Sequence, residues 1–114
     1  MEQIIVDIFT FQKEAGLDYN TLKELYLIFV DEIKQEKEEI EEYLSGNNME
    51  ELINVIHKIK GIASSYRTPV ILKIAGKLEA ELKNKEFDNF LGDIDKLNRA
   101  IDRVIDIITM YFDS

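Results

Sequence analysis

The sequence predicts an all-α protein, an antiparallel four-helix bundle with a short additional N-terminal helix. Three observations predict it. Apolar residues recur three and four positions apart along nearly the whole chain, which is the spacing of one helix face. One proline and five glycines in 114 residues leave room for long uninterrupted helices. Polar turn signals, such as Ser45-Gly46-Asn47-Asn48, divide the periodic stretches. A chain of this length is one domain. It divides into a flanking helix over residues 1–16 and a bundle over 17–113.

The first helix is expected from Gln3 to Ala15, carrying Ile4, Ile5, Ile8, Phe9 and Phe11, with Gly16 ending it. Asn20 and Thr21 are candidate caps for a second helix that runs to Leu44. Its expected buried stripe is Leu22, Leu25, Phe29, Ile33, Ile40 and Leu44. The polar run between Ile33 and Ile40 reads as a solvated stretch of the same helix. A third helix spans Met49 to Tyr66. Thr68 then suits an N-cap and Pro69 the first position of a fourth helix, which reaches Lys83. Ile71, Ile74, Ala75, Leu78 and Leu82 form its inward face. The strongest periodicity runs from Phe87 to Phe112, a helix of roughly 40 Å at 1.5 Å per residue. Core packing is the expected role of all these stripes, the five tyrosines included. Long amphipathic helices joined by short turns pack as an antiparallel bundle.

Composition excludes several function classes. Apolar residues are 46% and charged residues 32% of the chain, a soluble globular balance. The absence of cysteine excludes disulfide staples and thiolate metal sites. A net charge of -9 repels nucleic-acid backbones. The Met-Glu-Gln start lacks the basic region of a secretory signal. The longest strongly apolar run, Leu25 to Val30, is far shorter than the ~20 residues of a membrane span. The expectation is a cytoplasmic monomer that binds neither nucleic acid nor membrane. Beginning at methionine and ending just past the last helix, the chain reads as free-standing, and a fragment of a larger sensor kinase would read the same.

His57 is the only histidine. At about 100° per residue, Leu52, Val55, Ile56, Ile59, Ile62, Ala63 and Tyr66 fall in an arc opposite it. The imidazole is therefore expected to point away from the core face of its own helix. Lys60, Gly61 and Ser64, three, four and seven residues on, share its side. A glycine inside a helix costs about 1 kcal/mol relative to alanine. Gly61 is better explained if something bulky approaches there. A phosphoryl group on the imidazole fits, with the Lys60 ammonium offsetting its charge and the Ser64 hydroxyl donating a hydrogen bond. From Lys58 to Lys77 five basic residues (Lys58, Lys60, Arg67, Lys73, Lys77) occur with no acidic one. In an acidic chain this zone would attract a carboxylate-rich partner. Ile53, one turn before His57 on the same side, is a candidate docking contact, and so are Lys58 and Arg67.

The stretch HKIKGIASSYRTPVILKIAGKLE resembles the histidine phosphotransfer (HPt) domain pattern. That pattern has a histidine followed by Lys-Gly at the third and fourth positions, then small residues, and a Leu-Glu pair in the next helix. Here these are His57, Lys60, Gly61, Ala63, Ser64, Leu78 and Glu79. The similarity extends over about residues 17–112 in helix order and length. One departure stands out. The family usually has glycine ten residues after the histidine, and this chain has Arg67. Glycine suits a left-handed helix end better than arginine does, so the third helix is expected to end differently here.

The resemblance implies a phosphorelay role. His57 would accept a phosphoryl group from a receiver-domain phosphoaspartate, or donate one to an aspartate. The partners would be a response-regulator receiver domain, a hybrid sensor histidine kinase, or both. No cofactor is expected on the chain itself, since Mg²⁺ would belong to the receiver. With no nucleotide-binding motif present, no ATP-dependent kinase activity is expected. The alternative is a non-catalytic helical adaptor that binds a receiver or kinase without being phosphorylated. A carboxylate-bridged metal pair needs two Glu-x-x-His motifs. The single histidine is preceded at three residues by Asn54, so that reading fails. A hydrolase using His57 as base lacks an evident nucleophile.

Overall fold

Residues 5–113 are described by a computed structural model, and their regular elements are five α-helices with no strand. These are α1 (Ile8–Ala15), α2 (Tyr19–Ser45), α3 (Met49–Ser65), α4 (Pro69–Asn84) and α5 (Phe90–Phe112). In space α2 packs on α3, α3 on α4, α4 on α5, and α5 back on α2. The four long helices thus surround one core in chain order.

The first three helices start where a short polar side chain takes up a free amide. Asp7 accepts from the Thr10 amide at 3.1 Å, Asp18 from Thr21 at 2.8 Å, and Asn48 from Glu51 at 3.3 Å. The cap of α2 is therefore Asp18 rather than Asn20 or Thr21. Thr21 supplies the amide that is capped, because the helix begins two residues earlier than expected. Gln3 and Ile4 lie outside the described residues, and Ile5 to Asp7 precede α1. Thr68 and Pro69 open α4 as expected, although the Thr68 hydroxyl donates to the Ala63 carbonyl at 3.3 Å instead of capping.

The ends of α1 to α4 follow one rule. Gly16, Asn47, Arg67 and Lys85 have φ of 64°, 53°, 59° and 55°, in the left-handed region. Beyond each, an amide reaches back five residues: Leu17 to Gln12, Asn48 to Tyr43, Thr68 to Ala63 and Glu86 to Glu81. This is the Schellman ending, which satisfies carbonyls that the helix leaves free. The expected different ending of α3 is therefore not found. Arg67 adopts the conformation for which glycine is favoured. Its carbonyl accepts from the Asp7 amide at 2.8 Å, and its guanidinium donates to Glu14 at 2.6 Å. These contacts to α1 and the segment before it offset the cost of a left-handed arginine, about 1–2 kcal/mol.

The predicted core holds with local changes. Leu22, Phe29, Ile33 and Ile40 are buried, while Leu25 and Leu44 are half-buried. Tyr26 joins them, fully buried, with its hydroxyl donating to the Tyr66 carbonyl at 2.9 Å. Phe11 of α1 stacks on Tyr66, which ties the first helix to this aromatic cluster. Phe9, Tyr19 and Tyr111 are exposed, so not every apolar or tyrosine position packs inward. The run between Ile33 and Ile40 is not wholly solvated. Glu36 is buried there, since it lies three and four residues from those isoleucines, and Lys58 of α3 approaches it at 3.6 Å. Helix α5 begins at Phe90, not Phe87. Lys85 turns the chain, and the exposed Phe87 ring packs edge-on against Phe90 from the connection.

Candidate functional site

The face of α3 opposite its core carries His57, as the helical wheel requires. Its side chain is 71% exposed. The inward residues Leu52, Val55, Ile56, Ile59 and Ala63 are buried and hold the helix in this rotation. The imidazole is not free to turn. Nδ1 lies 2.6 Å from Glu79 Oε2 on α4. An ionised carboxylate can only accept, so Nδ1 carries the proton and donates it. The lone pair is thereby placed on Nε2, which has no hydrogen-bond partner among the described residues.

Glu79 is the centre of this arrangement. Lys60 donates to its Oε1 at 2.8 Å, and the Lys83 ammonium stands 3.8 Å from the same oxygen. The hydrogen bond from Lys60 does most to hold the Glu79 carboxyl down at about 2, against the opposing effect of burial. The hydrogen bond from His57 and the charges of Lys60 and Lys83 add to it. Glu79 is therefore an anion throughout the physiological range.

The structure thus brings His57, Lys60 and Glu79 together. Periodicity alone assigned Glu79 no role, since it appeared only as half of the Leu-Glu pair. The available signal was Glu79 followed by Lys83 at helical spacing, on a helix adjacent to that of His57. Gly61 is exposed, and a Cβ added there would meet nothing within 4 Å. No internal contact requires a glycine at that position. Ile53 is half-buried and packs against the core, leaving only part of its surface beside the histidine.

Other expected members lie elsewhere. Ser64 is seven residues along α3, roughly 10 Å from His57 at 1.5 Å per residue. It lines a separate small cavity with Asp7, Arg67 and Pro69, beyond hydrogen-bond reach of the ring. Arg67 is engaged with Glu14. The basic zone of the sequence is largely neutralised in space: Lys58 pairs with Glu36, Lys60 with Glu79, and Lys77 with Asp93. The acidic partners come from other helices, which a linear count of charges does not register.

An exposed imidazole oriented by a buried carboxylate can act as a nucleophile or as a base. Comparison with known families decides which lineage it belongs to. Residues 24–107, that is 84 of the chain's 114, match the profile of the Hpt domain. The chain belongs to the Hpt family. Hpt domains are phosphocarrier modules of phosphorelays without kinase activity of their own, and they work with receiver and kinase partners. Searches of curated proteins and of solved structures found no match. The matched span of this Hpt domain includes the whole His57, Lys60 and Glu79 arrangement. Among the described residues, no helix is long and apolar enough to cross a membrane.

Proposed function

We propose that His57 carries the phosphoryl group of a phosphorelay on Nε2, receiving it from a receiver-domain phosphoaspartate or returning it to an aspartate. The observation that carries this reading is the 2.6 Å contact of Nδ1 with an ionised, buried Glu79. The Nε2 lone pair attacks phosphorus, and the bond from phosphorus to the aspartyl oxygen breaks. Aspartate leaves as a carboxylate with the bonding electrons. The ring, now substituted at Nε2 and still protonated at Nδ1, becomes a cation. Glu79 is placed to stabilise that charge as it develops. Positioning and charge neutralisation are what phosphoryl transfer asks of a carrier. Mg²⁺ and the acidic pocket are contributions of the receiver.

Lys60 has two tasks in this reading. One of its three ammonium donors holds Glu79, and the others remain for the phosphoryl oxygens. The open space at Gly61 admits the partner, with Ile53 and Lys58 at the edge of the contact. The cyclic packing order and short connections support an antiparallel arrangement of α2 to α5. That arrangement leaves the α3 face clear for docking.

The test is incubation with a phosphorylated receiver domain. The protein should acquire an acid-labile, base-stable phosphate, and His57→Gln should lose it with helicity unchanged by circular dichroism. Labelling that persists in His57→Gln overturns the assignment. Absence of labelling in the wild type, with binding retained, would make the protein an adaptor. In the same assay Lys60→Ala should slow transfer, and an unchanged rate removes both of its tasks.

A further inference from the structure

Helix α4 has a second flank that phosphotransfer does not use. At about 100° per residue, Val70, Lys73, Ile74 and Lys77 lie roughly 120–180° around the helix from Glu79. With Asp93 and Lys96 of α5 they line a groove of about 510 Å³. Val70 and Ile74 are half-buried along it, and the three lysines are exposed. Asp93 is buried, with Lys77 at 3.2 Å and Lys96 at 3.8 Å from its carboxylate oxygens. Lys73 has no ion-pair partner among the described residues. Two ammonium groups thus flank the one carboxylate, and a third, that of Lys73, lines the same groove unpaired, on a chain whose net charge is -9.

We propose that this α4–α5 groove docks an acidic segment of a protein partner. The segment sets a large apolar side chain against Val70 and Ile74 and carboxylates against Lys73, Lys77 and Lys96. Charge complementarity selects the occupant. An acidic segment is repelled by most of this acidic surface and attracted at the lysine rim. A nucleic acid would meet the same repulsion along a much longer contact, and the apolar strip offers it nothing. Because the groove and Glu79 lie on opposite flanks of α4, an occupant leaves His57 accessible. Such tethering raises the effective concentration of a second site on the same partner without touching the imidazole. The proposal does not depend on His57 being phosphorylated.

The test is an NMR titration of the ¹⁵N-labelled full chain with an acetylated peptide, Glu-Asp-Leu-Phe-Glu-Asp-Glu. A control peptide has alanine in place of Leu-Phe. Saturable shifts are expected at Val70, Lys73, Ile74, Lys77 and Lys96, with the control binding at least fivefold more weakly. The double variant Lys73→Glu/Lys96→Glu should weaken binding at least tenfold. Both side chains are exposed, and Lys73→Ala alone provides a milder check if helicity falls. His57→Gln should bind as the wild type does. Equal binding of the two peptides, shifts centred on the His57 face, or no saturation at millimolar peptide would each overturn the proposal. So would concentration-dependent self-association through the same residues, which would assign the groove to a second copy of this chain.

Discussion

Two carboxylates on α4, two residues apart, are buried to almost the same degree and behave in opposite ways. Glu79 is 6% exposed and Glu81 is 7% exposed. Glu79 faces two ammonium groups and an imidazole N–H, and its carboxyl titrates at about 2. Glu81 faces another carboxyl, Asp93 of α5. Burial pushes Glu81 up, and the hydrogen bond and charge of Asp93 push it further. The hydrogen bond from Glu81, with help from Lys77, holds Asp93 down. Glu81 Oε1 and Asp93 Oδ2 are both buried without a hydrogen-bond donor, although the Lys77 ammonium stands 3.2 Å from that Asp93 oxygen. Equal burial therefore does not determine ionisation here; the partners across the helix interface do. One flank of α4 holds a permanent anion behind a nucleophile. The other holds two facing carboxyls, one pushed up and the other held down.

The largest expected effect falls on the first flank. Glu79→Ala should slow phosphoryl transfer to His57 by about 10–100-fold, by analogy with the loss of a partner that orients a metal-ligating histidine. Stopped-flow transfer from a phosphorylated receiver measures it, and an unchanged rate would show that Glu79 is only structural. Acid titration separates the flanks next. The Glu79 carboxyl lies below its ordinary value of 4.5 in the fold. Its stabilising contribution is thus complete above about pH 4.5 and fades as pH falls towards about 2. Glu79→Gln should flatten that part of the stability profile.

Glu81 has the opposite sign. Its carboxyl is raised in the fold, so its contribution is present below the ordinary value of 4.5 and is lost as pH rises through the raised one. Glu81→Gln, which donates to Asp93 without taking up a proton, should stabilise the protein by about 1 kcal/mol at pH 7. The gain should be smaller at pH 4. Urea unfolding at the two pH values checks this, and greater destabilisation at pH 7 would break the contrast. Gly61→Ala should stabilise the isolated domain by up to about 1 kcal/mol, because the new methyl meets nothing. Transfer should nevertheless slow, since the methyl occupies the partner's approach. A slower rate without a rise in Tm would mean that the glycine has an internal role. The smallest effect is expected for Arg67→Gly. Relief of the left-handed arginine opposes loss of the Glu14 bridge, and the net change should stay within about 1 kcal/mol by thermal unfolding.

Much of this was legible in the residues. The periodicity of α5 and the Thr68-Pro69 restart were read directly, because a helix face and a helix start are local properties. The end of α2 shows the limit. Gly46 looks like the left-handed residue of its turn, yet its φ is -85° and Asn47 takes that conformation instead. Asparagine tolerates the region, so composition alone does not choose between them. Glu36 belongs to a polar run that reads as solvated, yet it lies on the stripe of Ile33 and Ile40, and its ion-pair partner Lys58 stands twenty-two residues away on another helix.

By itself the sequence determined five helices, the outward rotation of His57, and the company of Lys60 and Gly61. Each of these follows from the 3.6-residue repeat within one segment. Only the tertiary structure decided that Glu79 grips Nδ1, that Lys60 serves Glu79, and that Ser64 and Arg67 stand apart from the imidazole. It also neutralised a basic run with acids from neighbouring helices. Those outcomes depend on how α3 and α4 rotate and slide against each other. Buried apolar side chains from four helices set that packing jointly, and no one segment encodes it.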